Sequence, residues 1–227
     1  MRPPVTISSI VTPASSYSLV DLADVKTLLG ITVTTYDALL NLFIPQASAT
    51  AQSFCNNPFV VETIQDQLYP QSDGVPWTVK DRRAPIQLSR WPTVAISSVV
   101  ETIAGVATTL TSGTDFLLDA ENGQLTRLNT YDPNSSSPAL PCYWRPNPIV
   151  AQYTAGYQNI PNDVFDAVTT LVKMMYYAQT RDPLVRSQNV AGVYEASYVM
   201  GTGPGGEGDL PAYVAAKLQR YRVPVVG

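Results

Sequence analysis

Histidine is absent from the 227 residues, cysteine occurs only twice, and charged side chains are scarce. Without an imidazole there can be no Ser-His-Asp relay, no histidine general acid-base step and no His-ligated zinc. Cys55 and Cys142 stand far apart without partner spacing, so neither a disulfide framework nor a thiolate metal site is expected, and a reducing compartment is the default. Only 14% of residues are charged, where an ordinary soluble domain carries roughly 25%. Ser, Thr, Tyr, Pro and Gly fill the difference. So sparsely charged a surface is expected to meet other protein over much of its area.

Long apolar runs are missing too. No uncharged stretch approaches the ~20 apolar residues of a membrane span, and prolines interrupt MRPPVTISSIVTPASS where a signal peptide needs a continuous apolar segment. The chain is expected to be cytosolic when made. Its net charge of −4 argues against a protein that grips nucleic acid, which needs clustered Lys and Arg to displace counterions from phosphates. Charge is nevertheless uneven: from Leu210 onward there are Lys217, Arg220 and Arg222 and no acid. Two readings stand beside each other here, a solvated helix face and a docking segment.

What is present reads as punctuated elements. SLVDLADVKTLLGI predicts a short helix with Asp21 as N-cap, Leu22, Val25, Leu28 and Leu29 on one face, and Gly30 as its stop. A second helix is expected after a capping-box-like Thr34 and Asp37, with Leu40, Phe43, Ile44, Ala47, Ala51, Phe54 and Cys55 at helical spacing and a kink at Pro45. Between Phe59 and Leu128 the period changes. The short runs FVVETIQDQLY, PIQLSRW, TVAISSVVETI, TDFLLD and GQLTRL predict a small antiparallel sheet, and Asn122-Gly123 marks a hairpin.

From Asn129 to Pro148 five prolines predict a long loop. A strand resumes at Ile149 to Tyr153, the chain breaks at Gly156, and a helix follows to about Thr180 with Val164, Val168, Leu171, Val172 and Met175 on its core stripe. Beyond Arg181 come an expected hairpin around NVAGVYEASYVM, the glycine-rich GTGPGGEG, and a last helix from about Pro211 to Tyr221. The fold class expected is α+β: a helical scaffold of two N-terminal, one long central and one C-terminal helix, carrying a small antiparallel β lobe. The expected organisation is an extended leader over 1–18 and a main domain over 19–182. Within that domain the helical scaffold takes 19–57 and 157–181 and the β lobe 58–156; a long glycine-rich loop or hairpin over 183–209 and a C-terminal helix with basic tail over 210–227 complete the chain.

Candidate chemistry is thin. Gly201, Gly203 and Gly206 satisfy G-x-G-x-x-G, but no second parallel strand ending in an acid follows, so a flexible loop is the better reading. Asp115, Asp119 and Glu121 around the hairpin and Asp163 and Asp166 at the start of the central helix leave a carboxylate-dependent hydrolase open. Turn chemistry and the helix dipole account for the same placements. Thirteen tyrosines, among them Tyr153, Tyr157, Tyr176 and Tyr177, lack the interleaved basic residues of a single-strand nucleic-acid platform and suit a protein interface or a half-buried core. No catalytic residue, cofactor or metal ligand is assigned.

The order of features carries more than any one of them. DLADVKTLLGI, YDALLNLFIPQASATAQSFCN, the RWP before a β-run, TDFLLDAENGQLTRL, and YTAGYQNIPNDVFDAVTTLVKMMYYAQTRD together resemble the head-to-tail connector, or adaptor, family of tailed bacteriophages and gene transfer agents, over roughly Leu19 to Asp182. That resemblance implies a virion structural protein and not an enzyme. It implies a ring, commonly of twelve copies, between the portal protein and the neck, stopper or tail-completion component, with DNA passing through the centre and no sequence-specific contact. A tail-completion or neck stopper protein is the neighbouring alternative. The expected location is the virion neck. On this reading Gly156 fixes the angle between β lobe and scaffold, while Gly203, Gly205 and Gly206 with Lys217, Arg220, Tyr221 and Arg222 are the segments that order on docking.

Overall fold

The computed structural model describes residues 5–69, 85–128, 142, 144, 147–179, 187–190, 194–197 and 210–223. The chain divides into two compact units, Met1–Ser15 with Val60–Gln158, and Ser16–Phe59 with Asn159–Gly227.

The first unit is built of strands: β1 (Val5–Thr12), β2 (Glu62–Tyr69), β3 (Ile86–Gln87), β4 (Thr93–Ile103), β5 (Val106–Leu110), β6 (Phe116–Asp119), β7 (Gln124–Arg127) and β8 (Ile149–Ala155). Five of them form an antiparallel sheet in the order β1-β2-β8-β4-β5, and three form a second sheet in the order β3-β7-β6. β2 and β8 alternate buried and half-buried residues along their length, the period-2 signature of a sheet with one face in the core. Ile64, Leu68, Val99, Ile149, Ala151 and Tyr153 of the larger sheet join Leu88, Phe116 and Leu125 in one buried cluster, which Trp144 completes.

The second unit contains α1 (Leu22–Leu29), α2 (Asp37–Cys55), α3 (Asn162–Ala178), the hairpin of β9 (Ser187–Val190) and β10 (Tyr194–Ser197), and α4 (Ala212–Leu218), which tightens into a 3₁₀ turn over Gln219–Tyr221. Gly30 ends α1 in the left-handed conformation at φ 69°, as a C′ glycine should. Neither N-cap works as expected. Asp21 makes no side-chain cap bond, and α2 starts at Asp37 behind Tyr36, with the Asp37 amide donating to the Thr34 carbonyl instead of the Thr34 hydroxyl accepting. Pro45 lies inside a continuous α2.

The expected fold class needs correction. Among the described residues ten strands in three sheets outweigh four α-helices, so the protein is β-rich and the sheets are no minor lobe on a helical scaffold. Two strands carry no pattern in the sequence that marks them as strands. VTISSIVT has no clear apolar alternation, because β1 is held by backbone pairing to β2 with the side chains of 6–12 exposed, and so it resembles a leader. VATTL is similarly featureless, yet Ala104 and Gly105, at φ 48° and 83°, turn the chain tightly enough to pair it with β4. The Asn122-Gly123 hairpin is present as β6–β7. Most of the proline-rich stretch and all of GTGPGGEG lie outside the described residues.

Candidate docking surface

Gly156, at the break after β8, has φ 130°, a conformation side chains avoid. A Cβ there would lie 2.6 Å from the Val60 carbonyl carbon and 2.8 Å from Val61 Cα. Its N–H donates to the Pro92 carbonyl at 2.9 Å, just past the cis Trp91-Pro92 bond. The joint is a close crossing of three backbone segments and carries no reactive group.

Beside it lies a buried polar cluster. The Tyr153 hydroxyl donates to Asp66 Oδ2 at 2.7 Å, the Ser89 hydroxyl donates to Asp66 Oδ1 at 2.7 Å, and the Ser89 amide donates to Oδ2 at 2.8 Å. The Arg90 amide donates to the Tyr153 oxygen at 3.1 Å. Burial first, and then the Asp66 charge, push the Tyr153 phenol well above its ordinary range. A phenol so held keeps its proton, and the carboxylate is saturated by donors. This network ties the SRW segment to β2 and β8.

The other carboxylates are similarly occupied. Asp115 accepts the Thr111 amide at 2.8 Å and stands 3.6 Å from Arg127, which also faces Glu101 Oε2 at 3.6 Å. Asp119 accepts from the side chain and amide of Asn122, bonds that hold its carboxyl below the usual range. A hydrolytic acid needs the opposite shift. Glu121 lies exposed in the same turn. Turn chemistry explains these residues. Among the described residues no three Cys, Asp or Glu side chains gather to hold a metal, and no helix is long and apolar enough to cross a membrane.

The basic C-terminal segment is folded against the second unit. Leu210, Val214, Ala215 and Leu218 are buried, and α4 packs on α2 and α3. The Val223 amide donates to the Cys55 carbonyl at 2.8 Å, and the Cys55 thiol points to the Leu218 carbonyl at 3.6 Å. Burial pushes that thiol up to about 12, against a smaller opposing pull from Arg222. Tyr221 meets Phe59 edge-on at 5.8 Å, and the Arg222 guanidinium lies 5.2 Å from the Phe54 ring centre.

Two of the charges proposed for docking, Lys217 and Arg220, are already paired. Arg220 reaches Asp163 at 2.7 Å, Lys217 bonds to Asp166, and Arg220 also lies over the Tyr221 ring at 4.7 Å. The hydrogen bond to Asp166 raises the Lys217 pKa above its ordinary value. Each set of partners is spaced by three residues, a helical stripe, and the order is crossed, 163 with 220 and 166 with 217. The two segments therefore run antiparallel. That double i,i+3 spacing is readable in the sequence, beside the helix-dipole and hydrolase readings of the two acids. Gly203, Gly205 and Gly206 lie outside the described residues.

The same unit also exposes aromatic area. Tyr36 and Tyr176 meet edge-on at 5.6 Å, Tyr176 and Tyr177 at 5.4 Å, and Tyr177 is 56% exposed. The Tyr213 hydroxyl donates to the Met174 sulfur at 3.2 Å, with both side chains largely in solvent. Rigid amphipathic rings of this kind are the side chains that protein interfaces favour.

Comparison with known proteins gives these surfaces a context. Residues 19–81 match the family described as phage gp6-like head-tail connector protein. No curated protein sequence matches. Among solved structures, a chain from the "Neck of empty GTA particle computed with C6 symmetry" is similar with a TM-score of 0.50 and 19% identity, covering 97% of this chain and 98% of that one. The connector resemblance carried by the motif order is thus met by the family match over residues 19–81, and the fold is similar to that of the neck chain over almost the whole length.

Proposed function

We propose that this protein is a virion structural adaptor: copies form a ring between the portal and the neck or tail, and DNA passes through the centre. The observation that carries the reading is the fold likeness to a neck-particle chain over 97% of the sequence, joined to the connector-family match. Physical features agree with it. A chain with 14% charged residues and a net charge of −4 offers DNA little to hold, as a conduit should. The carboxylates that a hydrolase would need are consumed by turns and ion pairs. A closed ring needs a heterologous interface that repeats by rotation, and twelve copies is the number the connector resemblance implies.

Lys217, Arg220, Tyr221 and Arg222 remain the proposed docking segment for the portal or the next neck component. Since Lys217 and Arg220 are bonded to α3, docking through them exchanges internal ion pairs for external ones. The test is purification of particles from a producing strain that carries a tagged copy. The tag is expected in intact particles, at the neck. A tag found only in the unassembled fraction overturns the reading.

A further inference from the structure

Resting on the ring reading above, we infer that the two ends of the five-stranded sheet are the joint between copies: β5 of one chain pairs in parallel with β1 of the next, so that the sheets run on around the ring. Five observations lead there. The sheet order places β1 and β5 at its two edges, and among the described residues no strand pairs with the outer side of either. Both edges are uncharged, VTISSIVT and VATTL, although a free edge in a lone protein is ordinarily blunted by Lys, Pro or inward charge. Ile7, Ile10 and Val11 on β1 and Val106 on β5 are exposed large apolar side chains, the last at 67%. From Thr6 to Thr12 every residue is exposed, so β1 is packed on neither face.

The fifth observation is direction. All four pairings in the sheet are antiparallel, so strands one and five of the five point the same way. A neighbour related by a modest rotation therefore brings its β1 alongside β5 in parallel, without inversion. An isologous pairing of two identical edges would instead give a closed dimer.

The ladder fixes which groups face outward. The two-residue turn at Ala104-Gly105 makes Ile103 and Val106 a hydrogen-bonded pair. Alternation then turns the amides and carbonyls of Ala107 and Thr109 to the outer side of β5, where among the described residues no strand pairs with them. The Thr102 amide accordingly turns to the other side, donating to the Pro148 carbonyl at 3.0 Å. Carried through β4, β8 and β2 by their registers, the same alternation turns Thr6, Ser8 and Ile10 outward on β1. Two rows of outward-facing donors and acceptors, equal in kind and uncharged, are complementary to each other.

Proline at an outward position removes a donor for the neighbour and none within the chain. Ser8→Pro blocks β1 and Thr109→Pro blocks β5. Native mass spectrometry of the full chain over a rising concentration series reads the result. The wild type is expected to form closed multimers and each variant alone to remain a single chain, with unchanged circular dichroism. Mixed, the two variants retain one good β1 and one good β5 between them, and a species of two chains, one of each, is expected and nothing larger. If both variants form the wild-type multimer, the edge joint is wrong while the ring stands. A wild type that stays a single chain at every concentration overturns the self-assembling ring and the joint together.

Discussion

The Tyr153 hydroxyl and the Asp66 carboxylate share a hydrogen bond of 2.7 Å in the interior of the β unit, between the neighbouring strands β8 and β2. Tyr153 is the largest fully buried side chain of the described residues. A hydrogen bond to a buried charge stabilises more than a neutral one, and leaving an acceptor unsatisfied costs about 1–3 kcal/mol. Tyr153→Phe is therefore expected to destabilise the protein by about 1–3 kcal/mol in urea titration. The pH dependence has a definite sign. The folded phenol's pKa is raised, so its stabilisation is complete below the ordinary value of 10.0 and falls away as pH rises above it. The wild type should lose stability between neutral pH and pH ~11 by more than Tyr153→Phe does.

Glycine at 156 and glycine at 30 answer different needs, and substitution separates them. At Gly30 a Cβ meets nothing within 4 Å, so Gly30→Ala carries only the cost of the left-handed conformation, about 1–2 kcal/mol. At Gly156 the added atom collides with the backbone of Val60 and Val61, which cannot swing aside. Gly156→Ala is expected to cost about 3 kcal/mol or more. Equal thermal midpoints for the two variants would contradict this reading of the crossing.

Glu101 is 1% exposed, and its Oε1 finds no hydrogen-bond partner among the described residues, while Oε2 faces Arg127. Removing the guanidinium leaves a buried carboxylate without a counter-charge, so Arg127→Ala should destabilise by about 3–5 kcal/mol. Combining it with Glu101→Leu should recover a good part of that loss. A double-mutant cycle from denaturant melts measures the coupling. Strict additivity would mean that the pair does not interact.

The C-terminal segment is held by apolar burial, with its ion pairs at the surface. Leu218 is fully buried, and Leu218→Ala should cost about 2–5 kcal/mol. Lys217 and Asp166 are largely in water, so Lys217→Ala should leave the melting curve close to that of the wild type. If the segment docks in the particle, Lys217→Ala with Arg222→Glu should lower the yield of tailed particles without lowering the amount of folded protein. Full particle yield from that double variant would remove these residues from the docking role.

Cys55 offers a readout of opening. Its thiol is pushed up from 9.0 to about 12 by burial, and only the thiolate reacts. In a Cys142→Ser background, labelling by a thiol reagent at pH 8 should follow global unfolding and slow in step with stability. Rapid labelling of the native protein would show that the α2 end and the C-terminal segment separate locally.

The legibility of this chain in its sequence follows from how each element is held. α2, α3 and α4 bury one stripe and so announce themselves by period, whereas α1 buries Val25 and leaves Leu28 exposed; Gly30 and the Asn122-Gly123 turn are positions where backbone geometry dictates the residue. β1 and β5 bury almost nothing, and a strand held by ladder bonds at a sheet edge leaves no alternation to read. These two strands are the main β content that the sequence pattern does not show. The Asp66–Tyr153–Ser89 network joins residues 23 and 87 positions apart, a distance over which no local pattern operates. The pairing of Asp163 and Asp166 with Arg220 and Lys217 did leave a trace, in matched spacings of three on two helical segments.

Direct imaging of the neck in purified particles, at a resolution that traces individual chains, bears most immediately on the adaptor reading. The expected result is a closed ring of this polypeptide between head and tail around a central DNA-wide channel. Necks traced in full without a copy of it, in particles that are otherwise complete, would contradict the account.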